Sequence, residues 1–251
     1  MKKIELPCPQ NWRWKKLGRI LAPQPDIPWL STFAGPSFAM AHRGSLLDLF
    51  VTGRDSRNRS QVGRVRIDLN HPEKIIFIDA KPVFSWGDPG AFDENGVSYP
   101  YLVKDGQKTY MYYVGWMPTV LTPFQNHVGL AIQNEDGTFR RVSRAPILER
   151  TNEDYLSMGS SCVLKDQGKF KLWYTSFLRW GKKEGEHKHY YVIKYAESED
   201  GIRWRRDNHI CIDIAYDWEF SICRPSVIVT AEGYHMWFSS RGEHYRIGYA
   251  H

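Results

Sequence analysis

Acidic side chains recur at one depth along this chain: Asp93 and Glu94, then Glu153 and Asp154, then Glu219. They stand six to eight residues ahead of Pro100, Ser161 and Pro225. Two carboxyl groups held across one bond can act as acid and base, one giving a proton as the other takes one. For a glycosidic bond they must sit about 5–5.5 Å apart for retention or about 6.5–9.5 Å apart for inversion. Asp93 is the leading candidate, with Glu153 or Glu219 as its partner. The competing reading makes the same acids turn caps, paired with nearby arginines.

Four arginines form a second set. Arg54 and Arg241 share a position in a repeat described below, Arg224 precedes Pro225, and Arg179 adjoins Trp180. A guanidinium is a planar fork that grips a carboxylate or phosphate through two hydrogen bonds. Several on one rim would suit a uronic acid, a sialic-type sugar, a phosphate or a nucleotide-sugar; the alternative is salt bridges to the rim acids. Trp116 and Trp180 could stack on the apolar C–H faces of sugar rings, or pack in the core. His127 completes the expected substrate-binding set of Arg54, Trp116, His127, Arg179, Trp180, Arg224 and Arg241. His187 and His189, two apart in "GEHKHYY", would share one strand face, but no third ligand has a suitable spacing. No metal and no cofactor is expected. A Gly-rich phosphate loop and a nucleophile-elbow serine are also missing.

The elements that must position these residues come from a repeat. "YLVKDGQKTYMYYVGW", "CVLKDQGKFKLWYTSF" and "SVIVTAEGYHMWFSSR" are versions of one sentence. Aligned on Leu49-Phe50, Met111-Tyr112, Leu172-Trp173 and Met236-Trp237, the steps are 62, 61 and 64 residues. Ahead of each pair lies "GPSFAM", "YPYLV", "SSCVL" or "RPSVI"; behind it comes "VGRVRID", "VGLAIQ", "VIKYAES" or "RIGYAH". Two units add "EDGTFRR" and "EDGIRWRR", where Asp-Gly supplies a tight turn. Short β-branched and aromatic runs, repeated radially without long amphipathic helical patterns, predict an all-β fold of the β-propeller type. Blades are expected at about 31–84, 93–148, 156–213 and 220–251, the last incomplete. Residues 1–30 form an N-terminal segment whose "KLGRILAP" is expected to close the ring as an outer strand. Otherwise the chain lacks its last blade.

In such a ring the inner strands start at one mouth of the channel, and the antiparallel second strands return to it. Starts of inner strands, ends of second strands and starts of third strands therefore share one rim, where the acids and arginines above would gather. Tyr112, Trp173, Trp204 and Trp237 recur with the repeat or its hairpin and are expected to pack.

Composition narrows the classes. The 251 residues are 42% hydrophobic and 25% charged, which is globular, and 10 Trp, 14 Tyr and 12 Phe make the chain rich in aromatics. The net charge of +6 is spread out apart from "GRDSRNRSQVGRVR", and no nucleic-acid motif accompanies it, so no nucleic-acid partner is expected. The start of the chain has lysines but no apolar run, and no stretch is long enough to span a membrane. Cys8, Cys162, Cys211 and Cys223 show no CxxC spacing and read as reduced thiols of a cytoplasmic protein.

"FDENGVSYPYLV", "YYVGW", "NHVGLAI", "IKYAESEDGIRW" and "YRIGYA" resemble the five-bladed propellers of the arabinanase, invertase and levansucrase type. Within that type the resemblance is to glycoside-hydrolase-like proteins of bacterial surface-polysaccharide loci, and it covers the chain from Trp12 onward. It implies a five-bladed β-propeller, four blades evident here and the fifth missing. It also implies a glycoside hydrolase acting on a sugar of surface-polysaccharide metabolism. In that clan an acid commonly precedes a Pro-like position on the inner strand. Here those positions hold Gly35, Tyr99, Ser160 and Arg224, so the acid/base set would have to be the displaced one. The rival is a non-catalytic propeller binding a glycan or sugar-nucleotide; a protein-interaction platform is a third reading. Either of the first two takes a carbohydrate or anionic sugar as its ligand.

Overall fold

A computed structural model describes residues 12–183 and 185–251; Cys8 lies outside the described residues. The fold is all-β, with 15 strands, a single turn of 3-10 helix at Pro28–Leu30 and no α-helix among the described residues. Its first antiparallel unit comprises β1 (Phe33–Arg43), β2 (Leu46–Arg54), β3 (Ser60–Asp68) and β4 (His71–Ile78). The second holds β5 (Gly96–Asp105), β6 (Lys108–Met117), β7 (Gln125–Gln133) and β8 (Phe139–Arg141). The third holds β9 (Met158–Asp166), β10 (Lys169–Lys183), β11 (Glu186–Ser198) and β12 (Ile210–Ile212). The fourth holds β13 (Ser221–Val229), β14 (Tyr234–Arg241) and β15 (Tyr245–Ala250).

Single parallel bridges, Ser60 to Gly96 and Tyr191 to Ser221, fuse the units pairwise into two mixed sheets of eight and seven strands. The inner strands pack on one another in the order β1, β5, β9, β13. Four antiparallel units stacked through their inner strands make the arrangement propeller-like.

The repeated sentence is explained by where its side chains go. Successive residues of a strand face opposite sides of a sheet. On β6, Met111 and Tyr113 join a core with Phe50 and Val62 of the first unit, while Tyr110 and Tyr112 join one with Leu172 and Tyr174 of the third. On β10, Trp173 turns the other way, towards Val227 and Met236 of the fourth. Second strands are thus sandwiched between neighbouring units, and both of their faces must be apolar. Tyr112 and Trp173 are buried, and Trp204 packs edge-on against Tyr112. Trp237 is covered by Trp12 and Tyr249.

Two local expectations are corrected. "KLGRILAP" forms no strand, and residues 12–27 carry none. Pro23, Pro25 and Pro28 lack the N–H groups that a ladder needs. The segment packs by side chains instead: Ile20, Leu21 and Ile27 lie against Trp29, Leu30 and Val51 of the first unit. At its other end Trp12 stacks on Trp237 with ring centroids 5.2 Å apart and meets Tyr249 edge-on at 4.9 Å. Chain ahead of β1 therefore links the fourth unit to the first. In the third unit, "EDGIRWRR" yields only a bridge from Arg205 to Glu197, and the outer strand is β12 further on. Asp200 Oδ1 takes the amide protons of Ile202 and Arg203, which are then unavailable to a ladder. "EDGTFRR" does give its strand, β8.

No helix among the described residues is long and apolar enough to cross a membrane. Cys162, Cys211 and Cys223 are free thiols. Trp29, 1% exposed, lies so close to β3 that a Cβ on Gly63 would fall 2.2 Å from its ring. Gly63→Val should therefore cost about 1–3 kcal/mol of stability, read as a lower urea midpoint with an unchanged m-value.

Candidate functional site

The four inner strands line a channel of about 500 Å³, with Phe38, Tyr99, Tyr101, Ser160 and Arg224 among its walls. A second cavity of about 260 Å³ forms its mouth. The mouth is built from strand ends, as antiparallel return requires: Phe33 starts β1, Arg54 ends β2, Asn126 lies at the start of β7 and Tyr245 starts β15. Trp116, near the end of β6, donates its indole N–H to Ser60 Oγ at 2.6 Å. The Arg54 guanidinium lies 5.7 Å from the Trp116 ring centroid and 4.9 Å from that of Phe33. β11, 13 residues long and paired along β10, brings His189 and Tyr191 to the same place.

Each inner strand breaks register at the same depth, at Gly35-Pro36, Tyr99-Pro100, Gly159-Ser160 and Arg224-Pro225. A bulge re-aims the side chain it carries. Tyr99 and Arg224 sit there with φ of 51° and 54°, the left-handed region that a non-glycine residue before proline resists. Their amides are held by the neighbouring unit: Tyr99 N–H donates to Thr52 Oγ1 at 3.0 Å, and Arg224 N–H to Ser160 Oγ at 3.1 Å. Arg224 is exposed to the channel, its guanidinium 5.6 Å from the Tyr99 ring centroid. Burial pushes the Tyr99 phenol up, and the charges of Arg224 and Arg54 both oppose that shift.

None of Asp93, Glu153 and Glu219 lines the channel or its mouth. Asp93 is fully buried and accepts hydrogen bonds from Tyr113 Oη at 3.0 Å and Arg141 Nε at 2.8 Å. Its counterpart one unit later is Asp154, which takes Lys194 Nζ at 2.8 Å, Ser176 Oγ at 2.6 Å, Tyr174 Oη at 2.8 Å and Arg206 Nη1 at 3.2 Å. Burial pushes the Asp154 carboxyl up, but the hydrogen bonds of Lys194, Ser176 and Tyr174 prevail and its pKa is lowered. Glu219 accepts from Ser240 Oγ and, at 2.9 Å, from the Ala215 amide. Glu153 is exposed, with its backbone carbonyl on Lys194. These acids tie the loop ahead of an inner strand to later strands of its own unit. Among the described residues, no carboxyl group lines the channel or its mouth.

Of the expected binding residues, the structure brings Arg54, Trp116 and Arg224 to these cavities. Arg241 packs beside the mouth, 5.3 Å from the Phe220 and 5.0 Å from the Tyr245 ring centroid. Arg179 is exposed and lies 3.5 Å over the Tyr190 ring. Trp180 joins an aromatic cluster with Phe124 and His189, both centroids 5.2 Å away. His127 is buried away from the cavities, edge-on to Phe92. Burial pulls its pKa from 6.5 to about 4, and burial with Arg241 does the same for His189. His187 lies exposed beyond Trp180, and no cluster of three metal-ligating side chains occurs among the described residues. Phe124 and Tyr191 enter the site unannounced, and Tyr99 and His189 enter it without having been given a ligand-binding role. Tyr99 was readable from its register with Arg224, since each precedes proline at the same repeat position.

No family model matches the chain. It is 37% identical over 234 residues to two proteins of Mycobacterium tuberculosis, uncharacterized protein MT1551 of strain CDC 1551 / Oshkosh and uncharacterized protein Rv1502 of strain ATCC 25618 / H37Rv. The match covers 93% of this chain and 78% of theirs, and the chain belongs to their family. Among solved structures it is similar in fold to a protein described as a glycoside hydrolase, with a TM-score of 0.76 at 15% identity over 94% of this chain and 74% of that one. A glycosyl hydrolase from Bacteroides ovatus gives 0.70 at 14% identity over 100% and 79%. A structure described under the GH130 family of mannoside phosphorylases, as containing glycoside hydrolases that target β-1,2 mannosidic linkages in Candida mannan, gives 0.70 at 15% over 99% and 79%.

Asp154→Asn keeps the shape of the side chain but leaves Lys194, 2% exposed, without its countercharge. It should cost about 3–5 kcal/mol, measured by chemical unfolding at neutral pH. Stability should also fall with acidity in two stages. Between pH 6.5 and about 4 the unfolded chain takes up protons that buried His127 and His189 refuse, so stability drops as pH falls through that window. The Asp154 contribution is present above the ordinary carboxylate pKa of 3.8 and disappears below it, as pH falls through the lowered value. His127→Gln should flatten the first stage in melting curves taken from pH 7 to pH 4.

Proposed function

We propose that this chain is a carbohydrate-binding propeller whose channel mouth takes a sugar residue without cleaving it. The observation that carries this reading is the make-up of the cavities. Aromatic faces (Trp116, Phe124, Tyr99, Tyr245) alternate with neutral hydrogen-bonding groups (Thr52, Ser98, Asn126, His189), and the described lining has no carboxyl pair to act as acid and base. Sugars need that combination, flat apolar faces for their C–H surfaces and short polar groups for their hydroxyls. Of the acids that suggested hydrolysis, Asp93 and Glu219 are engaged in the frame of the fold, and Glu153 is exposed and lines neither cavity. Fold likeness to glycoside hydrolases supports a carbohydrate ligand as analogy. The five-bladed ring and the link to surface-polysaccharide metabolism remain parts of this proposal, resting on the sequence resemblance, as does the cytoplasmic setting, resting on the reading of the cysteines as reduced thiols.

The test is a saccharide array followed by calorimetry on the hits, run beside a panel of aryl glycosides. Saturable binding of at least one saccharide, weakened roughly tenfold or more by Trp116→Ala, with no aryl glycoside turned over, is the expected result. Turnover lost in Asp93→Asn or Glu219→Gln variants that remain folded would replace this reading with hydrolysis by the displaced acids. No binding across the array would remove the carbohydrate reading itself.

A further inference from the structure

Two inner strands hold a large side chain where the backbone favours glycine. Tyr99 and Arg224 both adopt left-handed φ, both precede proline, and both sit at the register break of their strands. The corresponding sites of the other two units carry Gly35 and, at Gly159-Ser160, two small residues. Strain of this kind persists where the side chain it delivers is used. Here the two side chains converge, Arg224 lying 5.6 Å from the Tyr99 ring centroid on the channel wall.

Arg54 lines the mouth together with Tyr99. Its Nη1 is held by Asn58 at 3.0 Å, and its Nε is buried with no hydrogen-bond partner. His189 in the same mouth has a buried Nδ1 in the same condition. No carboxyl group among the described residues shares these cavities, so neither guanidinium meets a countercharge there. Two uncompensated guanidinium groups and the phenol that lines both cavities supply the hydrogen-bond donors an oxyanion calls for.

We propose that Arg224, Tyr99 and Arg54 form a specificity-determining clamp for the oxyanion of an acidic sugar, either the carboxylate of a uronic acid or the phosphate of a sugar phosphate. The proposal rests on the carbohydrate reading above and narrows it. Aromatic faces at the mouth hold the ring, and the clamp, from Arg54 at the mouth to Arg224 on the channel wall, selects for charge.

The experiment is calorimetry on the full chain with matched neutral, carboxylated and phosphorylated forms of glucose, galactose and mannose, with acetate and inorganic phosphate as sugar-free controls. At least one acidic form should bind about tenfold or more tighter than its neutral parent. That preference should shrink from about 0.05 to about 0.5 M salt, and Arg224→Ala should bring the ratio of acidic to neutral affinity close to one. Whether carboxylates or phosphates show the preference assigns the oxyanion. Arg224→Gly supplies a readout that a structural role would not give. It relieves the left-handed strain, so its melting temperature should be no lower than the parent's while the acidic preference is lost. Equal affinity for acidic and neutral forms would overturn the clamp and leave carbohydrate binding standing. Free acetate or phosphate binding as tightly as the acidic sugars would overturn it as a sugar clamp. A destabilised Arg224→Gly would overturn the strain argument, and no binding by any sugar would remove both readings together.

Discussion

The buried acid ahead of an inner strand is the constraint on which the rest of the structure depends. Asp93 holds Tyr113 of β6 and Arg141 of β8, and Asp154 holds Tyr174 of β10, Lys194 of β11 and Arg206 in the loop ahead of β12. Each knot ties the loop that feeds an inner strand to the second strand and to the outer part of its unit. Antiparallel strands alone would fix spacing and register, but not the angle at which the incoming loop meets the channel. A charge that deep in a protein must be compensated, and groups from two places in the chain are drawn to Asp93 and from three to Asp154. The geometry of the mouth follows, because strand ends and feeding loops are what the mouth is made of.

This use of the acids shapes the chemistry left over. Of the carboxylates that sequence spacing places near the rim, Asp93, Asp154 and Glu219 are turned into the frame, each facing a cation or hydrogen-bond donors, while Glu153 is exposed. The arginines that enter the channel are consequently not neutralised by them. A channel with positive charge, aromatic faces and neutral polar groups is suited to selecting and holding a ligand. Breaking a glycosidic bond asks for a proton donor and acceptor opposed across it, and the described lining has no carboxyl group to supply either.

Most of the architecture was legible because the repeat is written in side chains sandwiched between units, such as Met111, Tyr112, Leu172 and Trp173, whose identities packing dictates. The rim was legible for the same reason: once strand order is known, Arg54, Trp116 and Arg224 must lie near it. The direction of a side chain at a loop was not. Asp93 and Glu219 stand at the right depth for catalysis, and only the positions of Arg141 and Ser240 in space show that they point into the frame. Backbone strain at Tyr99 and Arg224 leaves no mark in composition, and a residue before proline ordinarily reads as extended. The N-terminal segment misled for a simpler cause: its apolar residues suggested a strand, while its prolines permit packing but no ladder.

The contact of Trp12 with Trp237 and Tyr249 joins positions separated by nearly the whole length of the chain. Contacts of that sequence separation close late, since the entropy of the intervening loop must be overcome before they are rewarded. During synthesis Trp12 emerges before Trp237 and Tyr249 and meets them only once β14 and β15 have been made. The first three units can condense on their neighbours in order as they appear, while the face of the fourth around Trp237 gains the cover of Trp12 only when the segment ahead of β1 folds back onto it.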